Sequence, residues 1–213
     1  MCIRDSGVRW AMDLGMQDYH GLEQVMDMWN QGQESMRWKV FRLGSESHNI
    51  LRFDGAAQQV EGRGELMLYS ESSAAAVIDM TSVYDQKTLS VQRGVRLLGN
   101  GSVLFQDEWT TGEKPVEVTW QMLTEAEQIS VTNNEVHLEQ NGQALILQVF
   151  SPASVNILIE DVSEPPMPYD LANPGLKRIS IRCHSHANVN GCFFIQAHPR
   201  ADTQGLPPAC IPL

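Results

Sequence analysis

Val116-Glu117-Val118-Thr119-Trp120 alternates apolar and polar side chains with a period of two. That period is the pattern of a β-strand with one face buried and one face solvated. Working outward, the same alternation recurs in Trp38-Lys39-Val40-Phe41-Arg42-Leu43, Asn49-Ile50-Leu51-Arg52-Phe53 and Glu65-Leu66-Met67-Leu68-Tyr69. Further strands are expected over 74–80, 89–98, 103–109, 128–132, 136–140, 144–150, 155–159, 177–183 and 191–197. Between these runs stand Asp54-Gly55, Gly99-Asn100-Gly101, Asn133-Asn134 and Asn141-Gly142, where Gly or Asn supplies the positive φ that tight hairpins need. Turn signals at intervals of roughly 8 to 12 residues predict an all-β fold, a large antiparallel β-sandwich of about a dozen strands. One short helix is expected, over 22–29, inside a polar, Met- and Trp-bearing stretch.

The chain has 213 residues, with 26 acidic against 15 basic side chains, a net charge of −11 and a pI near 4.9. With 42% hydrophobic residues it has enough apolar surface for a core. The longest apolar-rich stretches, such as Ala144 to Glu160, are broken by Gln148, Ser151, Pro152 and Asn156, and fall short of the roughly 20 apolar residues of a membrane-spanning helix. Without a clustered Lys/Arg tract, phosphate backbones and anionic membranes are poor partners.

Cys183 and Cys192 bracket Asn188-Val189-Asn190-Gly191, a turn that would set two strands face to face. A disulfide and two free thiols are both consistent with that spacing. The run Cys183-His184-Ser185-His186 offers metal donors, although a hairpin with a polar tip is the plainer reading. Met1-Cys2-Ile3-Arg4-Asp5-Ser6 lacks the apolar region of a signal peptide and is read as a cloning or assembly scar ahead of one domain, 7–198. Residues 164–175 form a Pro-rich crossing loop, and 199–213 a Pro-rich tail that hugs the surface or frays.

No phosphate loop, nucleophile elbow or paired-cysteine zinc motif is present. A longer pattern is. Gly7-Val8-Arg9-Trp10-Ala11-Met12-Asp13-Leu14-Gly15, then Tyr19, Arg37-Trp38, Arg42 and Ser47-His48-Asn49-Ile50-Leu51, resembles the heparinase II/III-like polysaccharide lyases. Val77-Ile78-Asp79-Met80-Thr81, Tyr84, Arg93 and Leu104-Phe105-Gln106-Asp107-Glu108 continue the likeness to about His198.

The resemblance implies the C-terminal sheet domain of an enzyme whose α/α toroid precedes it, with a uronate-containing anionic polysaccharide bound between the two. It implies a zinc ion held by Asp13, by His48 and by a His-x-His element upstream of residue 7, which this chain lacks. It implies Tyr19, Arg37 and Arg42 as substrate-binding residues, because loop residues close to the metal strand face the cleft in the family, and an Arg suits a carboxylate through its two-pronged donor geometry. The catalytic Tyr, Asn and His of the family belong to the toroid, so no catalytic residue is expected here, and the fragment is expected to be inactive alone. Asp79, Tyr84 and Arg93 are expected to be a structural cluster. Trp10, Met12 and Trp29 are expected to lie uncovered on the face that meets the toroid. Such enzymes are periplasmic or secreted. The competing reading is a non-catalytic carbohydrate-binding or interaction module.

Overall fold

The computed structural model describes residues 4–5, 7–84, 87–165, 167–199 and 209–211, so most of the expected scar and of the Pro-rich tail lies outside the described residues. Its strands are β1 (Arg4–Asp5), β2 (Val8–Arg9), β3 (Leu51–Phe53), β4 (Glu65–Ser70), β5 (Ala75–Asp79), β6 (Thr88–Leu97), β7 (Val103–Thr111), β8 (Val116–Thr124), β9 (Gln128–Thr132), β10 (Glu135–Gln140), β11 (Gln143–Ser151), β12 (Asn156–Asp161), β13 (Lys177–Ser185) and β14 (Asn190–Pro199). Eight form one antiparallel sheet in the order β4-β5-β6-β7-β14-β11-β10-β9, and four form a second in the order β12-β13-β8-β3. The pair β1-β2 stands apart.

The two sheets bury their alternating apolar residues against each other. Val118, Trp120, Met122, Ile179 and Ile181 from the small sheet share one core with Phe105, Trp109, Leu147, Phe193 and Ile195 from the large one. Phe105 and Trp120 meet across the layers with ring centroids 5.9 Å apart. Burying each such side chain is worth roughly 1.5–3 kcal/mol, which is what holds the layers together. The sandwich expected from alternation is therefore the fold. At the β10–β11 hairpin Asn141 and Gly142 have φ of 51° and 71°, the pair of positive values that matches a two-residue turn to strand twist.

Three local expectations are corrected. Residues 38–43 are not a strand: Met36–Lys39 is a 3₁₀ turn, capped by the Ser35 hydroxyl accepting from Arg37 N at 3.2 Å. Its backbone bonds are mostly local, with Val40 N, Leu43 N and Gly44 N donating to carbonyls three or four residues back rather than to a neighbouring strand. The helix lies earlier than expected, as α1 (Tyr19–Glu23), because Asp18 caps it. Finally, β13 and β14 do not form a hairpin. They belong to different sheets. Cys183 packs toward the main core, whereas Cys192 lies with Leu104 and Phe194 on the far face of the large sheet, and both thiols are free.

The Pro-rich loop joins β12 to its own neighbour β13 and crosses no strand. It folds back over residues 16–42 instead, where Gln17 Nε2 donates to Tyr169 O at 2.6 Å and Phe41 N donates to the Asp170 carboxylate at 2.9 Å. Near the C-terminus Ile211 is buried on the far face of the large sheet, its backbone N and O both bonded by the Gln106 amide at 2.7 and 3.0 Å.

Candidate functional site

The segment 10–14 runs alongside the end of β8. Trp10 and Ala11 are fully buried, and Met12 N donates to Leu123 O at 2.8 Å. That anchoring delivers Asp13 to the surface, where Gly15, at φ 69°, turns the chain away and donates its N–H to Asp13 Oδ1 at 3.4 Å. Arg9 Nη2 donates to the Asp13 carbonyl at 3.0 Å.

From the other side come the 3₁₀ turn Ser45–Ser47 and then His48. The backbone of His48 is fixed by the amide of Gln121, whose Nε2 donates to His48 O at 2.6 Å and to Ser45 O at 2.8 Å. Asn49 then closes the gap between the two segments. Its Nδ2 donates to Met12 O and its Oδ1 accepts from Leu123 N, both at 2.7 Å. Below it, Arg93 Nη1 donates to Asn49 O at 3.0 Å while its Nε and Nη2 hold Asp107 at 2.5 and 2.9 Å.

The result is that His48 Nδ1 and Asp13 Oδ2 lie 3.4 Å apart, each side chain about one-third exposed (34% and 38%). A metal bound tetrahedrally at about 2.0–2.1 Å holds its donors about 3.3–3.4 Å from one another, so the spacing and the donor types both suit two ligands of one zinc ion. Among the described residues, no group of three or more His, Cys, Asp or Glu side chains surrounds a common point.

Tyr19, Arg37 and Arg42 stand elsewhere on the same 16–44 segment. Tyr19 packs edge-on against Trp29 with centroids 5.8 Å apart. Arg37 donates from Nη1 to Met28 O at 3.0 Å and lies 4.8 Å over the Trp38 ring. Arg42 directs Nε and Nη2 onto Asn173 Oδ1 at 3.0 and 2.7 Å, which ties the Pro-rich loop to this segment. None of the three touches Asp13 or His48 among the described residues.

Tyr84 is buried, its hydroxyl accepting from Gln58 Nε2 at 3.1 Å, and desolvation pushes its pKa up. Asp79 caps the Thr81 N–H at 2.8 Å and takes no part in the Arg93 pair. Trp10 is fully buried rather than uncovered, because it fills the main core; Trp29 is 64% exposed as expected. Sequence reasoning missed Gln121, Asn49 and Asp107 as supports of the site. Their signal was polarity inside apolar strand runs, as at Asp107 within Val103–Thr111, since a buried polar group persists only where it is bonded.

No protein-family model matches the chain, and no curated protein matches it significantly. Solved structures do match. A heparinase III superposes with a TM-score of 0.65 at 17% identity, over 91% of this chain and 28% of its own. A second heparinase III, with methylated lysines, gives 0.66 at 14% identity, over 94% and 30%. The heparan sulfate lyase HepC from Pedobacter heparinus gives 0.60 at 17% identity, over 91% and 29%. The chain spans under a third of the length of each. This chain thus has the β-sandwich fold found in part of the heparinase III and heparan sulfate lyase chains.

Proposed function

We propose that the chain is the β-sandwich domain of a polysaccharide lyase that cleaves uronate-containing glycans by β-elimination, forming one wall of the cleft and supplying Asp13 and His48 to a zinc site. The observation that carries this reading is the 3.4 Å approach of Asp13 and His48, from positions 35 residues apart, on a heparinase-like fold.

When bound, zinc would fix the geometry of the cleft wall and place positive charge beside it. The chain's own residues supply the rest. Asp13 and His48 hold the metal, while Gln121, Asn49 and Arg93 keep their backbones in register, since outer partners orient ligands. Elimination needs the sugar carboxylate neutralised so that the C5 proton becomes acidic, a base for that proton, and an acid for the leaving oxygen. Tyr19, Arg37 and Arg42 serve the first task and the binding of the anionic polysaccharide; the other two belong to the α/α toroid. By the family resemblance, the parent enzyme works in the periplasm or outside the cell. Among the described residues no helix is long and apolar enough to cross a membrane.

The test is to assay the 213-residue chain and a longer chain carrying the toroid side by side, by ultraviolet absorbance of the unsaturated product. Activity is expected from the longer chain alone, and its Asp13→Asn and His48→Ala variants should lose zinc. Turnover by the short chain would show that the catalytic groups are misplaced. Silence from both would favour a binding module.

A further inference from the structure

The far face of the large sheet, turned away from the sandwich core, carries an apolar strip built from Val77, Leu104, Phe150 and Phe194. Cys192 packs against this strip. In the β7–β14 ladder Cys192 is the direct partner of Glu108, and Phe194 is the direct partner of Gln106. Direct partners in a sheet point to one face, so these four side chains form a single patch.

Ile211 is buried on the same patch. The Gln106 side chain holds it as a neighbouring strand would, its Oε1 accepting from Ile211 N at 2.7 Å and its Nε2 donating to Ile211 O at 3.0 Å. Nε2 also donates to Glu108 Oε1 at 2.8 Å, which fixes the direction of the amide. Two hydrogen bonds to one residue's backbone set both its position and its orientation.

Cys210 precedes Ile211 by one peptide unit, about 3.8 Å between Cα atoms, so the same clamp holds Cys210 over the patch that carries Cys192. Both thiols are free, Cys192 half-buried and Cys210 exposed. Besides burial, the groups that raise the Cys192 pKa are Glu108, Asp107 and Cys210, so the charge of a Cys210 thiolate reaches Cys192. The groups that raise the Cys183 pKa are burial and Glu117. The partner suggested for Cys192 by three-dimensional position is therefore Cys210, not the Cys183 suggested by sequence spacing.

We propose that Cys192 and Cys210 form a disulfide that fastens segment 209–211 across the far face of the large sheet, with a low-molecular-weight disulfide as the oxidant. The exposed Cys210 thiolate attacks the small disulfide. One half joins Cys210, the S–S bond breaks, and the other half leaves as a thiolate. The Cys192 sulfur then attacks the Cys210 sulfur, forming the protein disulfide and releasing the second half. Two cysteine thiols lose two electrons and two protons, and the small disulfide gains both and leaves as two thiols. Burial makes Cys192 a poor nucleophile toward reagents in solution. It reacts because the Gln106–Ile211 clamp holds the mixed disulfide beside it, which replaces a bimolecular encounter by a local one. The bridge closes a loop of roughly 15–20 residues and so removes chain entropy from the unfolded state. It persists in oxidising compartments, and it stands whether or not the domain serves a lyase.

The experiment is to incubate the 213-residue chain, in a Cys2→Ser background, with oxidised glutathione at pH 9 and to map disulfides by mass spectrometry of an unreduced digest. The expected product is a monomer linked from Cys192 to Cys210, with Cys183 open to alkylation after denaturation. Bridging should lower the unfolding equilibrium constant in denaturant by about a hundredfold, the effect of closing a loop of that size. Reductant or Cys210→Ser should abolish that shift. Ile211→Ala, which loosens the clamp and leaves both sulfurs in place, should slow bridging by about tenfold or more. Cys192→Ala should stop at glutathione on Cys210; if that variant does not fold, Cys210→Ser, at an exposed position, still supplies the unbridged control.

Glutathione retained on Cys210 in the parent chain, a link from Cys183 to either other thiol, or a dimer joined through two Cys210 residues would each overturn the proposal. So would bridging that is equally fast in Ile211→Ala, or that leaves the unfolding equilibrium unchanged. Each of these outcomes leaves the lyase reading as it is, because that reading is tested by turnover of the longer chain.

Discussion

Arg93 grips Asp107 with two parallel hydrogen bonds inside the sandwich, Nε to Oδ1 at 2.5 Å and Nη2 to Oδ2 at 2.9 Å, with the aspartate side chain wholly out of solvent. The strands that carry them are paired so that the two residues are direct partners, Arg93 on β6 and Asp107 on β7. The third guanidinium nitrogen reaches Asn49 O, which connects the pair to the Asp13–His48 site.

Removing one partner leaves the other charge buried. Arg93→Met is therefore expected to cost about 3–5 kcal/mol in denaturant unfolding. Arg93→Met combined with Asp107→Leu should recover part of that loss, because two apolar groups leave no stranded charge. A double variant no more stable than the single one would contradict this account.

Asn49→Ala strips partners from Leu123 N–H and Met12 C=O together, each worth about 1–3 kcal/mol when buried. Lower thermal stability is expected. If Asp13 and His48 hold zinc, its affinity should also fall by about 10–100-fold although neither ligand is changed, the usual effect of losing an outer support. Zinc titration of the longer chain against a competing chelator measures it.

At Gly191 a Cβ would come within 2.3–2.5 Å of three indole atoms of Trp109. Trp109 is 3% exposed, packs on Phe193 and Phe53, and donates its Nε1–H to Ser185 Oγ at 3.1 Å, so it has nowhere to go. Gly191→Ala should destabilise by about 1–3 kcal/mol, the ordinary cost of overpacking. Near-neutral unfolding data would show that the close approach is relaxed in solution.

Burial pushes the Cys183 thiol up to about 11 and the Cys192 thiol to about 12, nearby carboxylates adding to both. Only the thiolate is nucleophilic, so neither should react with a disulfide reagent at pH 8 in the native protein, and mild oxidation should not bridge them. Cys210, exposed, should label first among the described cysteines. The linkage sign follows: folding favours the protonated thiols, so their contribution is complete below the ordinary value of 9.0 and is lost as pH rises through about 11 to 12. Stability measured between pH 8 and 11 should therefore fall, and less so in the Cys183→Ala variant.

Much of the fold was written in local sequence. Alternation with Asn and Gly turns placed β9, β10 and β11 within a residue of their positions, because a hairpin's register is set by its own turn and by the face its side chains must bury. The motif residues Asp13 and His48 were likewise visible as types and spacing. What alternation reports is which face of a strand is apolar, never which sheet receives it, and so the sequence around Cys183 and Cys192 looked like a hairpin although β13 joins β8 and β14 joins β7. It also made 38–43 look like a strand, whereas the backbone there bonds to its own carbonyls three or four residues back.

The nearness of Asp13 to His48 was decided only in three dimensions. It depends on Trp10 filling the core, on Met12 pairing with Leu123 and on the amides of Asn49 and Gln121, contacts separated by up to 111 positions that no local pattern encodes. Sequence sets strands and turns because their energetics are local; sites assembled across sheets depend on which long-range packing minimises exposed apolar surface and stranded polar groups.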